Sequence, residues 1–374
     1  MKDGWISVCA VTPKVTVAGG FENTQVIKSY MELAAEEHAK ITVFPELSLT
    51  GYTCGDLFYQ DRLLEEALLS LLTLRDASRD LDGLFFVGLP FLYKSKIYNV
   101  AAAISRGEIL GLVPKTHIPG YNEFYESRQF APGFAKVRMV RLPDQSEVPM
   151  GANLLFACKD VPNLVVAAEI CEDLWVPDPP STTHALAGAT VIVNLSASDE
   201  LTGKRAYRRA LVESQSARLY AGYIYASAGA SESTQDVVYS GHDLICENGR
   251  TLMESEAFSE GMILSEIDVD AVSFRRRNMT TYSTPVADGH ETVYFTLNTE
   301  ETALTRAVDP MPFVPEGNEH RKVRCEEILS IEANGLAKRL SHTKSTRAVV
   351  GISGGLDSTL ALLVTAKAFD LLEL

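Results

Sequence analysis

Short apolar runs rich in β-branched residues recur between residues 5 and 270, and several of them alternate with longer stretches of helical periodicity. Runs of about four to eight such residues are typical of buried strands, whereas leucine and alanine at helical spacing indicate helices. Other strand-type runs follow each other across short turns, as in hairpins. The mixture predicts an α/β fold with mixed sheets flanked by helices.

The predicted elements of this region follow from these two patterns. Strands are expected at 5–11, 41–44, 84–89, 97–104, 109–113, 164–170, 190–195, 223–228, 237–246 and 262–267. Helices are expected at 21–39, 61–80 and 204–221. The last two strands are expected to complete the edge of a sheet.

The sequence changes character after residue 274, where three arginines are followed by a polar stretch and by prolines. We interpret 275–317 as a linker between a first domain over 1–274 and a second domain over 318–374. In the second domain the pattern predicts three elements. These are a helix over 319–340 capped by Asn318, a strand over 348–352 and a helix over 359–369.

Composition argues against several classes of function. The net charge of −15 disfavours binding to nucleic acid or to an anionic membrane surface. No apolar run approaches the length of a membrane span, and the residues from Met1 to Ala10 lack the layout of a signal peptide. The cysteines form no close pair and no metal-type spacing, which favours a reduced cytoplasm; they stand at 9, 54, 158, 171, 246 and 325.

The stretch SGGLDS, at 353–358, stands between a predicted strand and a predicted helix. Its glycines permit positive φ and let backbone amides approach a ligand closely. The first amides of the following helix have no intrahelical partners, so this turn is suited to phosphate, with the hydroxyls of Ser353 and Ser358 as further donors. We interpret Asp357 as a magnesium ligand beside the phosphates. The ordinary alternative is a strand-to-helix turn with a serine cap.

Three strand ends carry candidate chemistry. Glu46, Lys115 and Cys171 each stand just past an apolar strand, and in α/β sheets ligands gather beyond the carboxyl ends of strands. Taken singly, the three are typical of a solvated loop carboxylate, a surface lysine and a small core side chain. Together they suit attack on a carbon–nitrogen bond. A thiolate attacks the carbonyl carbon, a carboxylate takes the thiol proton, and an ammonium stabilises the oxyanion.

These strand ends resemble the Glu–Lys–Cys triad of the nitrilase, or carbon–nitrogen hydrolase, superfamily. The resemblance covers about residues 1–270 and depends on FPEL at 44–47, PKTH at 114–117, ICED at 170–173 and NLSAS at 194–198. It implies an αββα sandwich in which Cys171 is the nucleophile, Glu46 the general base and Lys115 the oxyanion stabiliser.

The SGGLDS stretch in turn is similar to the pyrophosphate loop of the ATP pyrophosphatase superfamily. A nitrilase-like domain followed by such a loop is the arrangement of the glutamine-dependent NAD synthetase family. That family is also resembled by four longer stretches: FPELSLTGYTCGDLF, PGYNEFYESRQFAPG, EICEDLW and NLSASDELTGKRAYRR.

The family resemblance implies a two-part reaction. Glutamine would be hydrolysed through a thioester, and the ammonia would amidate deamido-NAD that ATP has adenylated, with release of AMP and pyrophosphate. It implies ATP and Mg²⁺ without a prosthetic group, and a cytoplasmic homo-oligomer with an internal ammonia tunnel. Residues 318–374 would be the incomplete start of a doubly wound parallel nucleotide-binding domain. Its ATP loop would comprise Ser353, Gly354, Gly355, Asp357 and Ser358.

The resemblance also implies glutamine-binding positions, namely Tyr121, Glu172, Ser198 and Lys204. Some members have arginine at the last position, and Arg205 follows Lys204, so the sequence leaves the basic contact open between the two. It also leaves open whether Glu123 or Glu126 assists Lys115 or whether both are solvated. His117 follows the lysine closely, but Glu46 already fills the role of base.

Two other functions fit parts of the sequence. One is a stand-alone amidase or carbamoylase of the nitrilase superfamily, in which SGGLDS is coincidental; nucleotide binding separates it from the synthetase. The other is a binding protein that keeps the fold without catalysis, which the presence of all three triad residues disfavours.

Overall fold

The computed structural model describes residues 1, 3–282, 289–314 and 317–374. The chain divides into two compact units, Met1–Arg306 and Ala307–Leu374. The strands are β1 (Trp5–Thr12), β2 (Ile41–Val43), β3 (Leu84–Tyr93), β4 (Lys96–Ser105), β5 (Glu108–Pro114), β6 (Arg138–Arg141), β7 (Glu147–Met150), β8 (Leu154–Cys158), β9 (Val165–Ile170), β10 (Val191–Ser196), β11 (Gly222–Ser227), β12 (Leu244–Glu247), β13 (Arg250–Glu254), β14 (Gly261–Asp268) and β15 (Glu291–Phe295). The helices are α1 (Gly20–Glu36), α2 (Asp61–Ala77), α3 (Glu126–Gln129), α4 (Pro180–Leu186), α5 (Lys204–Leu219), α6 (Val269–Asn278), α7 (Asn318–Thr343) and α8 (Leu356–Leu371).

The first unit contains two mixed sheets. One has the strand order β14-β1-β2-β3-β4-β5-β7-β6 and the other β13-β12-β11-β10-β9-β8-β15. Strands β1, β2 and β3 run parallel, as do β9, β10 and β11, whereas β3, β4 and β5 form an antiparallel meander. Parallel neighbours bring their carboxyl ends to one edge, which is where the candidate site lies.

Three apolar layers hold this unit together. Buried side chains from both sheets, such as Phe86 and Val193, form one core between them. The outer face of the first sheet packs on α1 and α2, for example through Met31 and Leu71. The outer face of the second sheet packs on α4 and α5, for example through Val212. The α/β class and the αββα sandwich are therefore confirmed.

One predicted strand is largely wrong. Of 237–246, only the end is extended, in β12 (Leu244–Glu247), while Tyr239 makes an isolated bridge to Asp199. Gly241 has φ of 62°, a left-handed conformation that interrupts a strand. The remaining strands predicted in the first unit are confirmed to within a few residues, whereas β6, β7, β8, β13 and β15 were missed.

The predicted linker begins too early. Helix α6 extends to Asn278, and β15 pairs in parallel with β8 as an edge of the second sheet. Within the arginine run, Arg276 donates hydrogen bonds to the carbonyls of Ala189, Leu219 and Tyr220, so this segment is anchored to the first unit. The break between units falls after Arg306. Residues 283–288 and 315–316 of the predicted linker lie outside the described residues.

The second unit contains α7 and α8, which pack through Ala333, Ala337, Leu340 and Ala368. The strand predicted at 348–352 is not formed, and Val349 is fully exposed. A strand needs a neighbour to accept its hydrogen bonds, and the described part of this unit offers no second one. Asn318 is the first residue of α7 and not its cap. The cap position is occupied by Gly317, which has no side chain to accept a hydrogen bond from the helix. Among the described residues, no helix is long and apolar enough to cross a membrane.

Candidate active site

The two sheets meet at the strand ends that carry the candidate residues. Glu46 follows β2, Lys115 follows β5 and Cys171 follows β9. The backbone N–H of Glu46 donates to the carbonyl of Ser196 at the end of β10, 3.3 Å away. This contact joins a loop of the first sheet to a strand end of the second, so the three predicted residues lie in one buried region.

Lys115 lies between two carboxylates. Its Nζ is 2.6 Å from Glu46 Oε1 and 2.7 and 2.8 Å from the two oxygens of Glu126. Burial alone would lower the pKa of Lys115, but the charges of Glu126 and Glu46 raise it well above its ordinary value. The side chain is therefore a fixed, buried ammonium, as an oxyanion stabiliser must be.

Glu46 has one oxygen occupied and one free. Its Oε1 accepts hydrogen bonds from Lys115 and from Asn99 Nδ2, the latter at 2.6 Å. Its buried Oε2 makes no hydrogen bond with any described residue. Burial raises the pKa of Glu46 to about 7, although Lys115 lowers it. A carboxyl group poised near neutral pH with a free oxygen can both take and return a proton.

Cys171 begins the single turn after β9 and is 5% exposed. Its φ is 44°, in the left-handed region that non-glycine residues rarely adopt. Its backbone N–H donates to Asn194 Oδ1 at 3.2 Å. Burial and the charge of Glu46 raise the pKa of the thiol, against the opposing effect of Lys115. The resting group is therefore a thiol, and it needs a base to become a nucleophile.

The structure shows which of Glu123 and Glu126 contacts Lys115, a question that the sequence left open. Glu126 is buried, contacts Lys115 and accepts a hydrogen bond from the hydroxyl of Tyr52 at 2.8 Å. Glu123 is only half-buried and does not contact the lysine. Glu123 lies in the loop after β5 and Glu126 begins the short helix α3 that follows it, and their spacing in the sequence alone gives no reason to choose Glu126.

Asp173 was missed by sequence reasoning as a site residue. Its carboxylate accepts the backbone N–H groups of Thr116, His117 and Ile170 at 2.8–3.2 Å, and the ring of His117 at 2.9 Å. The hydrogen bond to Asp173 raises the pKa of His117. Asp173 thus ties the segment after Lys115 to the strand end before Cys171. The acidic pair Glu172–Asp173 after Cys171 was a sequence signal for this residue. The backbone N–H groups that it binds could not be identified from the sequence.

The predicted glutamine contacts cluster beside the triad. The hydroxyl of Tyr121 donates to Glu172 Oε1 at 2.7 Å. Lys204 Nζ lies 5.6 Å from the ring centre of Phe124 and 5.4 Å from that of Trp175, and it pairs with Asp199. The rings of Tyr121 and Phe124 are 5.8 Å apart, which links these two groups of contacts.

Of the two basic candidates, Lys204 faces this cluster, whereas Arg205 binds Glu254 at 3.1 Å. Ser198 is buried, and its hydroxyl oxygen accepts hydrogen bonds from Arg208 at 3.1 and 3.2 Å. Arg208 is fully buried and was missed, because nothing in the run of basic residues indicates which one turns inward.

A cavity of about 530 Å³ adjoins Glu126, a size that suits a small molecule. Its walls include the rings of Tyr52 and Tyr239, which lie 5.7 Å apart, and the carboxylates of Glu123 and Asp236. The carboxylate that holds Lys115 therefore lines an open space.

The SGGLDS stretch lies in the second unit. Gly354 has φ of 84°, and α8 begins at Leu356. The hydroxyl of Ser358 accepts the N–H of Ser353 at 3.2 Å and donates to the carbonyl of Gly355 at 3.1 Å. Residues 353–357 are exposed and Ser358 is half-buried, so the turn as a whole is accessible to solvent. Among the described residues, Asp357 belongs to no group of three or more potential metal ligands.

This sandwich, with a buried cysteine, glutamate and lysine at its strand ends, defines a carbon–nitrogen hydrolase. The chain belongs to that family, whose sequence profile, carbon-nitrogen hydrolase, matches residues 13–277. It is similar to the glutamine-dependent NAD(+) synthetase of Mycobacterium tuberculosis, at 40% identity over 98% of this chain and 55% of that one. The chain thus spans about half the length of the curated relatives it matches.

Two solved structures share the fold. A glutamine-dependent NAD(+) synthetase from Cytophaga hutchinsonii matches with a TM-score of 0.62 at 27% identity, over 71% of this chain and 43% of that chain. A glutamine-dependent NAD+ synthetase from Acinetobacter baumannii, in complex with ADP, matches with a TM-score of 0.59 at 18% identity, over 97% of this chain and 57% of that chain.

Proposed function

We propose that this chain provides the glutamine-hydrolysing part of a glutamine-dependent NAD synthetase. The observation that carries the proposal is the buried contact of Lys115 with Glu46 beside Cys171, in a chain 40% identical to an enzyme of that name. Glutamine would be hydrolysed to glutamate and ammonia, and the ammonia would serve an ATP-dependent amidation of deamido-NAD.

The first half-reaction uses the free oxygen of Glu46. It takes the proton of the Cys171 thiol while the sulfur attacks the carboxamide carbon. The ammonium of Lys115 stabilises the oxyanion that develops on the carbonyl oxygen. Collapse breaks the carbon–nitrogen bond, Glu46 returns its proton to the leaving nitrogen, and a thioester with the γ-carbonyl of glutamine remains on Cys171.

The second half-reaction uses the same carboxylate as a base toward water. Hydroxide formed at Glu46 attacks the thioester, Lys115 again stabilises the oxyanion, and glutamate leaves as the thiol is restored. The pKa of about 7 for Glu46 suits both directions of proton transfer near neutral pH.

We propose that glutamine is recognised by Tyr121, Glu172, Ser198 and Lys204. Glu172 supplies a carboxylate for the α-ammonium group, and Lys204 supplies a cation for the α-carboxylate. The Tyr121 hydroxyl orients Glu172, and Arg208 orients the hydroxyl of Ser198. Arg205 is assigned no contact with glutamine, since it binds Glu254.

We further propose that Ser353, Gly354, Gly355 and Ser358 bind the phosphates of ATP. Left-handed Gly354 and the start of α8 fit such a role, since free amides at a helix start attract anions. Asp357 would contribute one carboxylate to Mg²⁺. Magnesium is commonly held by one or two carboxylates and by the substrate's own phosphates, which fits a lone aspartate.

A cytoplasmic location is supported by the six cysteines, all of which are free thiols. A homo-oligomer and an internal passage for ammonia are proposed from the family resemblance alone. Free ammonia is mostly protonated near neutral pH, so an internal passage would preserve the nucleophile.

The direct experiment supplies glutamine, ATP, Mg²⁺ and deamido-NAD and measures glutamate and NAD separately. Cys171→Ala is expected to abolish glutamate release while added ammonium still supports any NAD formation that wild type shows. Cys158→Ala, which removes another buried thiol of the same unit, is the matched control and is expected to retain glutaminase activity. Wild-type glutaminase activity in Cys171→Ala would contradict the assignment.

The same preparation tests the alternative of a stand-alone amidase or carbamoylase. Glutamine should be hydrolysed with a higher kcat/KM than simple aliphatic amides or N-carbamoyl amino acids. The reverse order, with no effect of ATP on the melting temperature, would favour the alternative.

A further inference from the structure

Three polar side chains lie buried behind Cys171, on neighbouring strands of the second sheet. Asn194 is on β10, Tyr223 on β11 and Glu169 on β9, and each is at most 1% exposed. The N–H of Cys171 donates to Asn194 Oδ1 at 3.2 Å, and Asn194 Nδ2 donates to the Tyr223 hydroxyl oxygen at 3.1 Å. The Tyr223 hydroxyl in turn donates to Glu169 Oε1. A continuous chain of hydrogen bonds thus runs from a buried carboxylate to the backbone of the nucleophile.

The carboxylate sets which atom donates in the two side-chain bonds of this chain, and the Ser196 hydroxyl, which donates to Asn194 Oδ1 at 2.7 Å, fits the same orientation of the amide. When Glu169 is ionised both of its oxygens are acceptors, and Oε2 accepts the N–H of Ser181 at 2.8 Å. Tyr223 must therefore donate its proton to Glu169, which leaves its oxygen to accept from Asn194. The amide of Asn194 is then oriented with its carbonyl oxygen toward Cys171. If the amide turned over, its NH₂ group would meet the Cys171 N–H, donor against donor.

The end of the chain is a strained residue. A left-handed φ of 44° at a non-glycine residue is unfavourable and persists only where neighbours enforce it. The Cys171 N–H points at Asn194, so this amide is occupied and the turn is held in one conformation. The direction of the Cα–Cβ bond, and with it the position of the thiol, depends on that conformation.

We infer that Glu169, Tyr223 and Asn194 act as a positioning chain that holds the backbone of Cys171 in the conformation from which its thiol attacks. The inference depends on the proposed role of Cys171 as nucleophile. Tyr223 and Glu169 act only through Asn194, so their contribution is to the geometry of the attacking sulfur and not to substrate binding.

The test compares Tyr223→Phe and Glu169→Gln with Tyr282→Phe. Tyr223→Phe removes the central hydroxyl of the chain. Glu169→Gln replaces one of the two accepting carboxylate oxygens by an NH₂ group, which can only donate. Tyr282→Phe is the matched control, because it removes a hydroxyl that hydrogen-bonds the carbonyl of Ala185 at 3.1 Å, away from Cys171. Assays are run at about pH 8.5, where Glu169 is ionised, since burial raises its pKa to about 7.

The readouts are kcat and KM for glutamine and the rate at which iodoacetamide alkylates Cys171, located by peptide mass spectrometry. Misplacing a reacting group by about 1 Å costs on the order of 100-fold. Tyr223→Phe and Glu169→Gln should each lower kcat by about 10- to 100-fold and slow alkylation, with KM unchanged. The double variant should be no slower than the slower single variant, because both break one chain.

Values of kcat and alkylation rate equal to those of Tyr282→Phe would overturn the inference, as would a loss confined to KM. Thermal melts separate these outcomes from unfolding, since kinetics are compared only on variants that keep a cooperative transition. Cys171→Ala is measured in parallel. If it still hydrolyses glutamine, the proposed function fails; if it is inactive while Tyr223→Phe is fully active, only the positioning chain fails.

Discussion

Replacing Lys115 by methionine is expected to remove glutaminase activity and to destabilise the fold in a pH-dependent way. The ammonium lies 2.6 Å from Glu46 and 2.7 Å from Glu126. At an effective dielectric constant of about 20, each pair attracts by about 6 kcal/mol before the cost of desolvation is subtracted. Measured losses on removing one partner of such a buried pair are about 3–5 kcal/mol.

The pH dependence follows from the carboxyl groups left behind. Burial already raises the pKa of Glu46 to about 7, and Lys115 opposes that rise. Without the lysine the folded pKa is higher still, while the unfolded carboxyl titrates at 4.5. The folded variant therefore binds the proton more tightly than the unfolded chain, and ionisation destabilises it as pH rises from 4.5 through and beyond 7. Wild type loses stability in the same way between pH 4.5 and about 7, so the deficit of the variant relative to wild type grows above pH 7 and should be larger at about pH 8 than at about pH 5.

The assay is a thermal melt of wild type and Lys115→Met at both pH values, with glutaminase activity measured alongside. At about 2 °C per kcal/mol for a unit of this size, the variant should melt about 6–10 °C lower at pH 8. Activity should fall at least about 100-fold at both pH values, because the oxyanion loses its stabilising charge. Lys40→Met, which removes another buried lysine paired with Asp82 at 2.5 Å, should lose stability and keep activity. A pH-independent deficit in the melting temperature of Lys115→Met would refute the reasoning.

Three further variants test separate parts of the site. Glu126→Gln removes a charge that raises the pKa of Glu46, so the acidic limb of the kcat/KM profile should move to lower pH; no shift would contradict this coupling. Asp173→Ala frees backbone N–H groups on both strand ends, and kcat should fall on the order of 100-fold, whereas a fall below about threefold would make the residue dispensable. Tyr121→Phe releases Glu172, so KM for glutamine should rise while kcat changes little; a fall confined to kcat would exclude it from ground-state binding.

The clustering of Glu46, Lys115 and Cys171 was predictable because three apolar runs end immediately before them. Strands that run in the same direction place their carboxyl ends at one edge of a sheet. The positions of the strand ends in the sequence are therefore enough to predict that these residues lie close together. The αββα sandwich was predictable from the family resemblance, and its strands from alternation and β-branched runs.

Other features were decided by contacts between segments distant in the chain. The sequence does not show that Glu126, and not Glu123, contacts Lys115. It also does not show that Arg208, among several neighbouring basic residues, is the buried one. Strand β15 becomes a strand because β8 offers it a free edge. The strand predicted at 348–352 stays irregular because the described part of its unit offers none.

The most direct test of the central claim is to look for the thioester on Cys171. Wild-type protein is mixed with glutamine, quenched in acid within its first turnover, and analysed by intact mass and peptide mapping. An adduct of one glutamyl group is expected on the peptide that contains Cys171, present in Cys158→Ala and absent in Cys171→Ala. Glutamate formed at the wild-type rate by Cys171→Ala, or an adduct on a different residue, would contradict it.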